Sequence, residues 1–235
     1  MRYAIIAAGE GSRLLQEGVA APKPLVKVGG ECLIDRLMRI FAANGATSIS
    51  VVCRPDRQVE QHLRQRQQDY PQLHYIVRTP PSSMHSLYEL SPLLEGEEPF
   101  VLTTVDTVFS ESDFSRYLTA LERGIGSGEI DGLMGVTDYV DDESPLYVST
   151  DAQLHLQAFL DREDHPHYIS GGIYGLTPRC LETLRACIAR GESRMRNFQR
   201  ALLADGLRLQ AWPFGQVFDI DHVADIEKAS QFLSL

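Results

Sequence analysis

Near the start of the chain, Ala7-Ala8-Gly9-Glu10-Gly11-Ser12-Arg13 follows a short apolar run, and Pro22-Lys23-Pro24-Leu25 comes soon after. Small residues and two glycines let a backbone approach a ligand closely. Exposed amides in such a turn favour anions, phosphates above all. Arg13 adds a rigid guanidinium fork, and Lys23 a compact point charge held in an extended segment by its prolines. Carboxylates complement these cations. Asp106 closes an apolar run, and Asp219-Ile220-Asp221 lies ahead of a last helical pattern. Alternation puts Asp219 and Asp221 on one side of the chain if it is extended there. Hard divalent ions such as Mg²⁺ take oxygen ligands, few from protein and the rest from water and phosphate. Asp106, Asp219 and Asp221 meet that need, although Asp221 is equally placed to cap the final helix. The spacing is not the dinucleotide fingerprint, because Leu14 stands where GxGxxG needs glycine, and no Gly-Lys-Ser/Thr makes a Walker A loop. No G-x-S-x-G elbow is present for a serine hydrolase.

These groups need a frame. Tyr3–Ala7, Ser48–Cys53, Leu73–Val77 and Phe100–Val105 read as short buried strands. Between them fall helical patterns over Cys32–Asn44, Asp56–Gln68 and Met84–Leu94, the last entered through Ser83. This alternation predicts a doubly wound, mostly parallel sheet in a three-layer α/β/α arrangement, with ligands beyond the carboxyl ends of the strands. Asp106 falls on that side. A helix is expected from Asp113, then a Gly-rich connection over Gly124–Asp131. Strands over Asp131–Thr137, Leu146–Ser149, Leu154–Leu160 and Tyr168–Leu176 follow, with an acidic loop, Asp138–Glu143, after the first of them. Helices over Pro178–Ala189 and Arg194–Ala204, a strand over Leu207–Trp212 and a closing helix over Val223–Leu233 complete the chain. One domain is expected, with residues 1–137 as a nucleotide-binding half and 138–235 as an acceptor-binding half.

The pair AAGxGxR and PKPL, in that order at the N-terminus and followed by Gly29-Gly30, resembles the signature of nucleotidyltransferases of the GT-A-like (Rossmann-like) fold. These include sugar-1-phosphate nucleotidyltransferases and cytidylyltransferases of phosphocholine type. Phe218-Asp219-Ile220-Asp221 is similar to the acidic ending of that family, with His222, Val223 and Ala224 departing from its usual Thr-Pro-Glu. The resemblance implies an enzyme that joins an NMP from an NTP to a small phosphorylated acceptor and releases pyrophosphate. It implies Mg²⁺ on Asp106 and Asp219, with Asp221 as a third candidate. Ala7, Ala8, Gly9, Gly11 and Ser12 would hold the nucleotide, with Arg13 and Lys23 on the triphosphate. Ser82-Ser83-Met84-His85-Ser86-Leu87 looks like the stretch that contacts base and ribose, through Ser83 and Ser86. Ser170-Gly171-Gly172-Ile173-Tyr174 resembles the strand under the acceptor. No lysine occurs between Lys27 and Lys228, so Arg162 or Arg179 would take the acceptor's phosphate. Glu163, Asp164, His165 and His167 read as a solvated loop. The rival readings are a GT-A-type glycosyltransferase, which wants a second Asp after Asp106-Thr107, and a non-catalytic nucleotide-binding module.

A chain of 235 residues suits one large α/β domain. Its net charge of −10 argues against broad contact with nucleic-acid backbone. No apolar run has the length of a membrane span, no signal peptide is expected before the first strand, and Cys32, Cys53, Cys180 and Cys187 lack zinc-ligand spacing. A cytoplasmic protein with reduced thiols is the expectation. The partners expected are an NTP and a small phosphorylated substrate, and a homodimer is left open.

Overall fold

β1 (Arg2–Ala7) is buried along its whole length and leads into α1 (Ser12–Gln16). The hairpin β2 (Lys27–Val28) and β3 (Glu31–Cys32) turns at Gly29-Gly30, both at positive φ, as a tight two-residue turn requires. Next come α2 (Leu33–Ala43), β4 (Ser48–Cys53), α3 (Arg57–Asp69), β5 (Leu73–Val77), α4 (Ser83–Leu90) and β6 (Phe100–Thr104). The second half holds β7 (Thr107–Val108), α5 (Glu111–Gly126), β8 (Gly132–Thr137), β9 (Tyr147–Thr150), β10 (Leu156–Leu160) and β11 (Tyr168–Leu176). It ends with α6 (Cys180–Ala189), α7 (Met195–Ala204), β12 (Leu209–Phe214), β13 (Phe218–Asp219) and α8 (Val223–Phe232). This computed structural model describes residues 1–139, 144–162 and 167–234. Most of the expected acidic loop, and Glu163, Asp164 and His165, lie outside the described residues.

The main sheet runs β10-β9-β11-β6-β1-β4-β5, with β8 paired to β11 and β12 beyond it. β6, β1, β4 and β5 are mutually parallel, as the strand–helix alternation predicts. β11 joins β6 antiparallel, so the sheet is mixed. β1 lies between β4 and β6, and the chain leaves it towards β4 and returns on the other side at β6. That reversal is a topological switch point, where the carboxyl ends of neighbouring strands leave a crevice.

Alternation along β1 splits its side chains between two cores. Tyr3, Ile5 and Ala7 join a cluster with residues of α2, α3, α5 and α8. Ala4, Ile6 and Ala8 join another with residues of α4, α6 and α7. Tyr3 stacks on Phe41 with centroids 4.3 Å apart, an offset contact that anchors α2 against the sheet. Helices therefore cover both faces, as three layers demand.

Several local expectations are corrected. α4 is capped by Ser82, not Ser83, and α5 starts at Glu111 under a Ser110 cap rather than at Asp113. α5 also runs on through Gly124 and Gly126. A Cβ on Gly124 would meet Ile130 Cδ1 at 2.6 Å, so this glycine serves close packing and does not end the helix. The last helix is capped by His222 in a capping box with Asp225, which leaves the Asp221 side chain for other partners.

Candidate active site

The β1–α1 turn, the Lys23 segment and two acidic turns converge at the switch point. Gly11 sits at φ 61°. A Cβ there would approach Lys23 Cβ to 3.1 Å, so glycine lets the two motifs touch. Asp106 lies in the turn from β6 into β7. Asp219 is brought to it by a small ladder in which β13 pairs antiparallel with β7, Asp219 opposite Thr107. The Ile220 amide also donates to the Asp106 carbonyl at 3.1 Å. As a result one carboxylate oxygen from each of Asp106, Asp219 and Asp221 lies within 4.8 Å of the others. The stretch carrying Asp219 and Asp221 is fastened to the C-terminal end of α1 as well. His222 Nδ1 lies 2.5 Å from Glu17 Oε1, and the Val223 amide donates to Glu17 Oε2 at 2.7 Å.

Lys23 is buried in the middle of these acids. Its Nζ is 2.5 Å from Asp106 Oδ2 and 2.6 Å from Asp221 Oδ1, and Arg13 Nη1 is 2.5 Å from Asp221 Oδ2. Burial alone would favour an uncharged lysine. The charges of Asp106, Asp219 and Asp221, with the hydrogen bond to Asp106, outweigh it and hold the ammonium well above the usual lysine range. Burial likewise pushes the Asp221 carboxyl up, but Lys23, then Arg13, bring it below the ordinary aspartate range. Lys23 pairs with Asp106 and Asp221 and Arg13 with Asp221, and the three carboxylates lie close enough together to share one cation. Their donors are all oxygens, as hard divalent ions require.

Two cavities open on this cluster. One, of about 480 Å³, is lined by Ala8, Gly9, Glu10, Lys23, Arg54, Pro80, Ser82, Ser86 and Asp106, among others. The second, of about 470 Å³, is lined by Thr107, Ser170, Gly171, Gly172, Arg194, Gln199 and Asp219, among others. Ser83 and Thr104 line both. β11 shifts register between Ser170 and Ile173, so the two glycines form a bulge at the wall of the second cavity. Gly172 sits at φ 72°, and a Cβ on it would reach Thr107 Oγ1 at 2.7 Å.

The structure thus brings Ala8, Gly9, Lys23, Ser83, Ser86 and Asp106 to the first cavity and Gly171, Gly172 and Asp219 to the second. Ala7 is buried in β1, and Gly11, Ser12 and Arg13 form the signature turn without lining either cavity. Ser86 is buried and its hydroxyl donates to the Ser82 carbonyl at 3.2 Å. Arg162 lines neither cavity, and Arg179 pairs with Asp131 at 3.5 Å. Arg194 and Arg196 stand at the second cavity instead. Sequence reasoning missed them, and also Glu10 and Arg54, which pair at 3.2 Å across the first cavity. Arg194 takes φ 76° and ψ 140°. That conformation costs a non-glycine residue about 1–3 kcal/mol. No local sequence pattern announces it.

Residues 3–206 match the MobA-like NTP transferase domain. The chain belongs to that family. The match ends before Asp219, so the second acidic turn is placed by the geometry alone. Among curated proteins, the chain is similar to a CMP-5'-(3-aminopropyl)phosphonate synthase of Streptomyces rubellomurinus, 29% identical over 157 residues, which is 60% of this chain and 25% of that protein. It is also similar to a glucose-1-phosphate cytidylyltransferase of Salmonella typhimurium, 32% identical over 53 residues, 23% of this chain and 21% of that protein. The chain thus spans a quarter or less of the length of these curated relatives. Two solved structures share its fold over nearly its whole length. One is a Bacillus anthracis protein provisionally assigned as a glucose-1-phosphate thymidylyltransferase, with TM-score 0.84, 18% identity and coverage of 99% of this chain and 94% of that one. The other is the inositol-1-phosphate CTP transferase from T. maritima, with TM-score 0.77, 20% identity and coverage of 100% and 95%. Among the described residues no helix is long and apolar enough to cross a membrane.

Proposed function

We propose that this protein is a nucleotidyltransferase that joins an NMP from an NTP to a small phosphate or phosphonate acceptor and releases pyrophosphate, with Mg²⁺ as its metal. The observation that carries this reading is the meeting of Asp106, Asp219, Asp221 and Lys23 between two cavities of similar size. The first cavity takes the nucleotide, through the 1–137 half. The second takes the acceptor, largely through the 138–235 half. The names of three relatives carry CMP, cytidylyl or CTP, which makes CTP the first nucleotide to try. A cytoplasmic setting belongs to the same proposal.

In this mechanism the amides of Ala8 and Gly9 lie against the nucleotide in the first cavity, and Gly11, Ser12 and Arg13, which do not line it, serve the triphosphate beyond it. Lys23 leaves Asp221 and carries its fixed charge onto the α-phosphoryl oxygens, where negative charge gathers during transfer. The acceptor's anionic oxygen attacks phosphorus in line from the second cavity, the bond to pyrophosphate breaks, and no covalent enzyme intermediate is needed. The two cavities meet at Ser83 and Thr104, which sets attacker and phosphorus side by side. A divalent cation held by Asp106 and Asp219, with Asp221 beside them, would neutralise phosphate oxygens. The test is pyrophosphate release from each of the four NTPs with Mg²⁺, with and without a panel of phosphomonoesters and phosphonates. Acceptor-dependent release supports the reading. Absence of release with every pairing, or release that ignores the acceptor, contradicts it.

A further inference from the structure

Building on the nucleotidyltransferase reading, we propose that Arg194 is the residue that holds the acceptor's phosphate or phosphonate group. An anion entering the second cavity comes close to Asp219 and to the bound triphosphate, so its walls must supply positive charge. Among the described residues lining that cavity the only cations are Arg194 and Arg196. Arg196 is already engaged. Its Nη1 lies 2.7 Å from Asp161 Oδ1, and its Nη2 donates to the Ser144 carbonyl at 3.0 Å. Arg194 is exposed, and among the described residues its guanidinium has neither a hydrogen bond nor an ion pair. Its planar fork matches a phosphate or phosphonate in two-point contact.

The backbone leads to the same residue. The left-handed φ of Arg194 persists only where the surroundings impose it, and such residues gather at ligand sites. Here the constraint comes from the nucleotide side. The Arg194 amide donates to Ser82 Oγ at 3.3 Å, and Ser82 both caps α4 and lines the first cavity. The next residue, Met195, is buried and starts α7. The wall thus presents Arg194 from a chain that cannot relax without leaving Ser82. A second, separate sign of a ligand comes from Gln199 of the same wall. It is 1% exposed, its Nε2 donates to Ser170 Oγ at 3.2 Å, and its Oε1 has no partner. An acceptor with a hydroxyl or amine on its body answers that need.

The experiment is calorimetric titration of the full chain with CTP and Mg²⁺, then of the nucleotide-loaded protein with three probes: 3-aminopropylphosphonate, glucose 1-phosphate and inorganic phosphate. Replacing Arg194 by Ala is expected to weaken whichever probes bind by about tenfold or more, the loss expected for a charge-assisted contact. CTP affinity should stay unchanged, and Arg194→Lys should recover part of the loss because the charge remains. Acceptor affinity in Arg194→Ala within about threefold of wild type, well short of a lost charge-assisted contact, would overturn the anchor. So would a wild-type protein that binds CTP but none of the probes. A wild type that binds none of the four NTPs, each titrated with Mg²⁺, would sink the underlying functional reading instead.

Discussion

Lys23 answers two demands at once. It neutralises Asp106 and Asp221 from a buried position, and in the proposed reaction it also serves the triphosphate. Replacing Lys23 by Ala would leave Asp106 and Asp221 without their shared buried ammonium beside Asp219, at an expected cost of about 1–3 kcal/mol in metal-free buffer. Because a divalent cation can stand in for the lost charge, Mg²⁺ should raise the melting temperature of Lys23→Ala more than that of wild type. Equal shifts in both, measured by thermal unfolding with and without chelator, would count against a shared cation. Asp106→Ala should reduce turnover by about a hundredfold or more while changing the melting temperature by only a few degrees, since the loss falls on positioning and charge rather than on packing. Steady-state pyrophosphate release and a melting curve check the two halves of that statement. At this scale the sequence is informative in part. A carboxylate closing an apolar strand is common as a turn residue, so Asp106 stands out only through the resemblance to nucleotidyltransferases, and Asp221 reads equally well as a helix cap until the structure sets both beside Asp219. Arg194 is not legible in the sequence, because its standing depends on an unusual φ and on which side chains leave it unpaired, and neither is written in its neighbours.

Elements explain why those residues meet. The short β7–β13 ladder fixes Asp106 against Asp219 across more than a hundred residues of chain. The bulge in β11 shapes the wall of the second cavity. Gly172→Ala would place a Cβ 2.7 Å from Thr107 Oγ1 and 3.1 Å from Thr104 Oγ1. The φ there also disfavours side chains. Thr107 adjoins Asp106, so this variant should lose acceptor-dependent turnover as well as stability. Full activity in Gly172→Ala would show that the bulge has no part in the site. Ser82 works at the start of α4, where it accepts the His85 amide and also holds Arg194. Ser82→Ala should cost about 1 kcal/mol of stability as a lost helix cap, and should raise the KM for acceptor more than the KM for nucleotide. A rise confined to the nucleotide would remove Ser82 from the acceptor side. The cap expected from sequence is one residue away, at Ser83. Two adjacent serines offer the same side chain to the same helix end, and only the backbone direction chooses between them.

Over the whole molecule, the doubly wound half is readable because each strand is short, apolar and followed by a helix of clear period. The second half is less readable. Strands there pair antiparallel with distant partners, and β12 returns to run parallel to β8, a choice set by which sheet edge is free. One ion pair with a buried acid ties that half together. Asp131 accepts from the Arg208 amide at 2.8 Å and from its Nε at 3.0 Å. Burial pushes the Asp131 carboxyl up, and the Arg208 contacts more than offset this, so it titrates below the ordinary aspartate range. Its stabilising effect is therefore complete above about pH 4, the unfolded value, and fades as pH falls through the lowered native one. Asp131→Asn should flatten the acid limb of the stability curve, as followed by urea unfolding from about pH 7 down to about pH 3. An unchanged limb would place the acid sensitivity elsewhere.

The proposed reaction depends on a cation shared by two carboxylates that lie far apart in the sequence and close together in space. The most direct test is anomalous scattering from crystals of the full chain grown with CTP and Mn²⁺. The prediction is a single strong peak in direct ligation distance of both Asp106 and Asp219 and of a nucleotide phosphate oxygen. A nucleotide bound in the first cavity with no peak between those two carboxylates would contradict it.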